Sequence, residues 1–371
     1  MRVLCLLISL SFVRISLGQQ YQHLRLNAGV QATAPDRQAM LTQWDRYLGS
    51  DFQQQAQFWL PTELSRYKQG DLLLSEGYVN PNVYQYTTQK LVLSIEPLDS
   101  VTYQCRTLFY WQNAADPAAP LTTFCIVNTC FQRQNNQWLL ENYLTRYTRG
   151  WQTNTVGYLT YRLPPGRPFN RSLAEQTEAF LREVFHDFDI TPFPVTYYVA
   201  ADCTEAQRLK GFDYVVGMGS SSVCGSYDAA NHIVYAGGQG EGYLHELVHV
   251  INPYFPCAHP LLLTGYSGLR GGHFGHPLTY HKQRVLAYLA THAIDLQNPL
   301  TFTNLDEQTN PQYVIGGIFC EAALQTGGVA KLKRLFSYGT SDEDFYLALK
   351  KEFNLDKRAI PAFIRKYLKA T

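Results

Sequence analysis

The sequence predicts an α+β fold in two parts. An N-terminal helix precedes a curved antiparallel sheet; a small sheet, one motif-bearing helix and a C-terminal helical subdomain follow. Three observations predict it. Apolar and aromatic residues recur at helical intervals over 41–67. After Asn80-Pro81 the texture changes to runs rich in Val, Thr, Tyr and Phe, cut by turn-forming residues. Beyond a proline-dense stretch at 163–168, short strand-like runs give way to helical spacing that continues to the C-terminus. The 371 residues are 46% hydrophobic, enough for two packed domains at roughly 150 residues each and too apolar for a disordered tether. With 31 Lys and Arg against 30 Asp and Glu, nothing in the charge favours nucleic acid or an anionic membrane as partner.

Taken in order, residues 1–18 read as a signal peptide. Met1-Arg2 leads into an apolar run, and Ser16-Leu17-Gly18 supplies the small residues that precede cleavage, before Gln19. The run is too short, and too broken by Ser9 and Ser11, to span a bilayer, and no later stretch is apolar enough to do so. The expected location is therefore secreted, periplasmic or cell-envelope. Cys5 leaves with this leader, so Cys105, Cys125, Cys130, Cys203, Cys224, Cys257 and Cys320 remain, an odd number. A cross-strand bridge from Cys105 to Cys125 or Cys130 is expected, because they sit on neighbouring strand-like runs. No CxxC pair supports a zinc ribbon.

Residues 19–162 form the N-terminal α+β domain. The runs VYQYTTQKLVLSI, VTYQCRTLFYW, LTTFCIVNTCF and QWLLENYLTRYT are separated by Pro97-Leu98-Asp99, residues 113–120 and Asn135-Asn136. Helix followed by meander loosely resembles the cone of nuclear transport factor-like domains, an architecture that implies no function. Residues 163–171 are a linker, with φ fixed at three prolines. Residues 172–371 form the second domain. Ser172 and Glu175 predict a capping box opening a helix to His186. Strands at 194–200 and 232–236 follow, and after His281 come helices punctuated at Pro299, Pro311, Gly327-Gly328 and Gly339.

The chemistry lies in HELVH, on a helix predicted over 242–251. Four residues turn a helix by about 400°, so His245 and His249 project from one face, where one zinc reaches both. Glu246 faces the metal-bound water and is the expected general base. The motif arises by chance in about one chain in a hundred of such composition. The competing reading is two histidines satisfied by hydrogen bonds on an ordinary helix. Apolar residues at both x positions and the short strand just upstream favour the metal.

On these residues, and on the strand NHIVYAGG before them, the region 172–368 resembles the gluzincin branch of the HExxH zinc peptidases. The resemblance implies a zinc-dependent peptidase acting on peptide or protein substrates. It also implies a third ligand, a Glu in a segment of form L-x-E-G-x-A. The matching stretch reads Leu262-Leu263-Thr264-Gly265-Tyr266-Ser267, so Thr264 stands where the Glu is expected, and no Asp or Glu occurs between His249 and Asp295. A neutral hydroxyl is a poor zinc ligand, and catalytic zinc takes three protein ligands plus water. The groups able to substitute are His259, His273 or His276, a later carboxylate such as Asp295 or Glu321, or substrate and water; for each histidine the plain alternative is a loop or surface residue. Tyr266 and Tyr313 are candidate oxyanion stabilisers, against ordinary packing. Two functions follow: an exported zinc-dependent peptidase or related hydrolase, or a zincin-fold pseudoenzyme that binds a peptide, glycan or envelope partner.

Overall fold

The computed structural model describes residues 21–68, 70–72, 89–113, 115–116, 118, 120–219, 221–303, 305–306 and 308–370. The predicted leader and the start of the first predicted strand lie outside them. The fold is mixed α+β with two mixed sheets. After β1 (Arg25–Leu26), α1 (Pro35–Leu48) opens on a proline, whose missing N–H costs nothing in a first turn. It buries Met40, Leu41, Trp44, Tyr47 and Leu48, and Trp44 Nε1 donates to Thr107 Oγ1 at 3.0 Å. A 3-10 segment (Phe52–Phe58) and α2 (Pro61–Arg66) follow.

The first sheet runs β1-β2-β3-β4-β5, with β2 (Gln89–Pro97), β3 (Thr102–Trp111), β4 (Thr122–Gln134) and β5 (Gln137–Glu141) antiparallel. Asn135 and Asn136 both take positive φ, 50° and 62°, the twisted two-residue turn that matches a tight hairpin. The last predicted strand stops at Glu141. Asn142 turns the chain into α3 (Tyr143–Tyr147) because its N–H and Nδ2 both donate to the buried Glu63 Oε2, at 3.0 and 2.7 Å.

The expected bridge from Cys105 does not form. Cys105 pairs with Thr129, which places Cys130 one step out of register, and Cys125 pairs with Phe109, about 13 Å along the strand. All three are buried free thiols, and Cys203–Cys224 is the disulfide instead.

The second sheet contains the hairpin β6 (Gln152–Val156) and β7 (Leu159–Leu163). Next come α4 (Arg171–Asp187), β8 (Val195–Ala200), α5 (Cys203–Leu209), β9 (Phe212–Val215), β10 (Cys224–Asp228) and β11 (Ile233–Gly237). The order is β10-β11-β8-β7-β6, with β7, β8 and β11 parallel. Strands covered on both faces read as unbroken apolar runs, which is why β8 and β11 show little alternation. Two sheet memberships cross the proline segment. The hairpin before it belongs to the second sheet, so the prolines connect two strands of one sheet. After it, β9 leaves to pair with β4, Cys125 with Val215. The cap of α4 is Asn170, which takes the Leu173 N–H at 3.1 Å, rather than Ser172. Asn is as strong a cap as Ser, and it is the residue that follows the extended proline run.

The remaining helices are α6 (Leu244–Val248), α7 (Pro260–Gly271), α8 (Leu278–Thr291), α9 (Pro311–Leu335, interrupted at Gly327-Gly328), α10 (Asp342–Phe353) and α11 (Ile360–Lys369). None among the described residues is long and apolar enough to cross a membrane. Helices α7 and α9 meet backbone to backbone: a Cβ on Gly265 would lie 2.1 Å from the Gly316 carbonyl carbon. Gly265→Ala is accordingly expected to lower unfolding stability by about 2 kcal/mol or more in denaturant titration. Thiol titration of the unreduced, denatured chain without residues 1–18 should find Cys105, Cys125, Cys130, Cys257 and Cys320 reactive and Cys203 and Cys224 silent.

Candidate functional site

HELVH sits on a shorter helix than the sequence predicts. α6 is one turn, and from His249 to Tyr254 the chain tightens into a 3-10 helix containing Pro253. Proline excludes the carbonyl four residues before it, here that of His249, so the α-helical pattern ends there. The turn still brings the motif together. The His245 and His249 rings stand edge to face, centroids 5.2 Å apart, and Glu246 Oε2 is 4.0 Å from His249 Nε2. His245 and Glu246 are buried; the His249 side chain keeps 20% exposure.

Each histidine is held through Nδ1. His245 Nδ1 donates to the Gly272 carbonyl at 2.5 Å, which leaves the Nε2 lone pair free. His249 Nδ1 lies 3.1 Å from Asn252 Nδ2, while Asn252 Oδ1 is buried without a partner. Turning that amide about its terminal bond pairs Oδ1 with an Nδ1–H and frees Nε2 here too. Two glycines permit the approach. A Cβ on Gly271 would fall 2.3 Å from the His245 backbone nitrogen, and one on Gly225 of β10 would fall 2.6 Å from Glu246 Cγ. Gly272 has φ +76°, which aims its carbonyl at His245.

Around this pair stand Tyr243, Tyr313 and His273. Their rings lie 6.1, 6.0 and 5.7 Å from that of His245, and His273 stacks on Tyr313 at 4.1 Å. Burial first and the nearby Glu246 second raise both tyrosine hydroxyls above their ordinary range. Burial, then the neighbouring His245, lowers His249 to about 3; burial, then His245 and His281, does the same for His273. His245 and His281 are lowered by burial as well. All four imidazoles are therefore neutral at pH 7, as metal binding requires.

The other sequence candidates are engaged elsewhere. Thr264 is half-buried on α7, its carbonyl accepting from Ser267 Oγ. One turn later Gly268 has Tyr313 within 4 Å of its Cβ position. His259 caps α7 and packs on Phe345. His276 is exposed and stacks on Tyr280. Asp295 caps its own loop, and Glu321 accepts from Lys282 Nζ at 2.5 Å. Tyr266 packs between Phe188 and Phe336 in the core. The sequence reading missed Tyr243, Asn252, Gly225 and Gly272. Asn252 carried a usable signal, a short amide three residues after a motif histidine. Among the described residues no group of three His, Cys, Asp or Glu is arranged to hold a metal ion. No family model and no curated protein matches this chain.

The neutral imidazoles have a consequence for stability. Below about pH 6.5 the unfolded chain binds protons that the folded chain refuses, so stability falls with pH from there toward about 3. Unfolding followed in a chelating buffer should show a loss of about 1 kcal/mol per pH unit for each such histidine. His249→Gln should flatten that slope.

Proposed function

We propose that the chain is an exported zinc-dependent hydrolase acting on peptides or proteins, its second half a zincin-like domain. One observation carries this reading: two neutral imidazoles, 5.2 Å apart, are each tied down through Nδ1, with a carboxylate beside them. That donor chemistry fits zinc, which prefers imidazole nitrogen and relies on outer hydrogen bonds to fix the tautomer. His245 and His249 would hold the ion through Nε2. When bound, zinc acidifies water and polarises a carbonyl. Glu246, 4.0 Å from His249 Nε2, would take a water proton and pass it to a leaving amine. Tyr243 and Tyr313, kept protonated, can donate to a carbonyl oxygen that gains negative charge. Gly272 and Asn252 keep the two rings from turning away.

A second reading is favoured by Thr264 and by the lack, among the described residues, of three converged donors: a pseudoenzyme that binds a peptide, glycan or envelope partner. Elemental analysis of the purified mature chain separates them. The hydrolase reading expects close to one zinc per chain and little in His245→Ala. Glu246→Gln should keep its zinc while cleavage of a fluorogenic peptide panel falls at least about a hundredfold. Zinc below about a tenth of an equivalent after incubation leaves the binding protein as the function.

A further inference from the structure

We propose that the cleft between α2, α3 and the second sheet binds a small polar organic anion, one carrying a carboxylate or a phosphate. The site is separate from HELVH and stands whichever reading of the motif holds. Strand alternation keeps the two apart. Tyr161 and Tyr197 turn toward the motif, where their hydroxyls donate to the Glu241 and Gly240 carbonyls at 3.3 and 3.0 Å. Their neighbours Thr160, Arg162, Thr196 and Tyr198 point to the opposite face and line the cleft.

The cleft encloses about 610 Å³, the size of a small-molecule site. Among the described residues that line it, Ile233 alone is aliphatic. Three guanidiniums, those of Arg66, Arg149 and Arg162, stand there against two carboxylates, Glu63 and Glu141. The carboxylates are already engaged. Glu63 accepts from the Asn142 N–H and Nδ2 and from Thr145 Oγ1, which ties α2 to α3. Glu141 accepts from Arg146 Nε at 3.0 Å, an arginine outside the lining. The arginines are not engaged to match. Arg66 Nη1, bonded to Thr145 Oγ1 at 3.2 Å, and Arg149 Nη2 each stand 3.9 Å from the nearest carboxylate oxygen, past hydrogen-bond length. Arg162 donates from Nη1 to Thr153 Oγ1 at 3.0 Å and from Nη2 to the Thr148 carbonyl at 3.4 Å. Its Nε is buried with no acceptor.

The lining therefore carries surplus positive charge and unused donors. Guanidinium forks match the paired oxygens of a carboxylate or phosphate, which neutral groups do not. A buried donor left without an acceptor costs free energy, and an anion seated beside it offsets that cost. The hydroxyls of Thr62, Thr148 and Thr196 suit the polar body of such a ligand, whereas a lipid or a bare aromatic would find little to bury against. The cleft also draws on both parts of the chain, α2 and α3 from the first and β7, β8 and β11 from the second.

Binding is measured by isothermal titration calorimetry on the chain without residues 1–18, in low-salt chloride buffer. The probes are glucuronate, glucose 6-phosphate and neutral glucose. One or both anions should bind once per chain with Kd of about 1 mM or tighter, and glucose should not. Which anion binds tells a carboxylate ligand from a phosphate. Arg162→Gln removes the unpartnered donor, while Arg66→Gln and Arg149→Gln change side chains 53% and 64% exposed, which the fold can spare. Each variant is expected to weaken binding at least about tenfold. The exposed Arg358→Gln serves as the unchanged control, and every variant is checked for a native unfolding transition. Three results overturn the proposal: no heat from either anion up to about 10 mM, equal binding of glucose, or affinity within about twofold of the unmutated chain for both Arg66→Gln and Arg149→Gln.

Discussion

The close approach of backbones at glycine is the constraint on which the second half depends. α6 is five residues long, far below the length at which an isolated helix holds together in water. It persists because Gly271 at the end of α7 reaches its first turn and Gly225 of β10 reaches Glu246. α7 in turn is located by Gly265 against Gly316 and Gly317 of α9. Side chains at these positions would push the layers apart, and the hydrogen bond from His245 to Gly272 spans a contact that no larger residue allows.

That packing also sets the electrostatics. His245 is buried and His249 half-buried, and loss of hydration, joined at His249 by the neighbouring His245, outweighs the hydrogen bonds with Gly272 and Asn252, so the imidazoles stay neutral. The tyrosines facing Glu246 stay protonated for the complementary reason: both burial and a neighbouring negative charge oppose a phenolate. The same layers pair the buried Lys282 with the half-buried Glu321, which engages a carboxylate that composition alone leaves available.

Much of this was legible in the sequence where local chemistry decides. Asn135-Asn136 marks its hairpin because few residues tolerate consecutive positive φ, and Pro253 marks the end of the motif helix. HELVH specified which residues would meet, since helical geometry is local. What failed was non-local. The register of β3 on β4 separates Cys105 from both expected partners, and register follows from a whole sheet rather than from cysteine spacing. The proximity of His273 to His245 depends on where α7 ends against α6, a distance that no spacing rule encodes. Thr264 looked decisive from its neighbours Leu262 and Gly265. In the fold, Gly265 is there for α9, and Gly268, one turn on, is the glycine of that helix that faces Tyr313.

The crossing of strands between sheets bears on how the chain can be divided. The proline run at 163–168 invites a cut into two independent pieces. Such a cut strips β9 from β4 and leaves part of that strand's hydrogen-bonding edge open. It also strips the hairpin β6–β7 from β8, a strand with four residues buried in succession. Each fragment would then present an unpaired apolar edge, the feature that drives sheets to join other sheets. The two halves are therefore mutual chaperones, each finishing the other's sheet, and the chain is best treated as one folding unit despite its separate hydrophobic clusters.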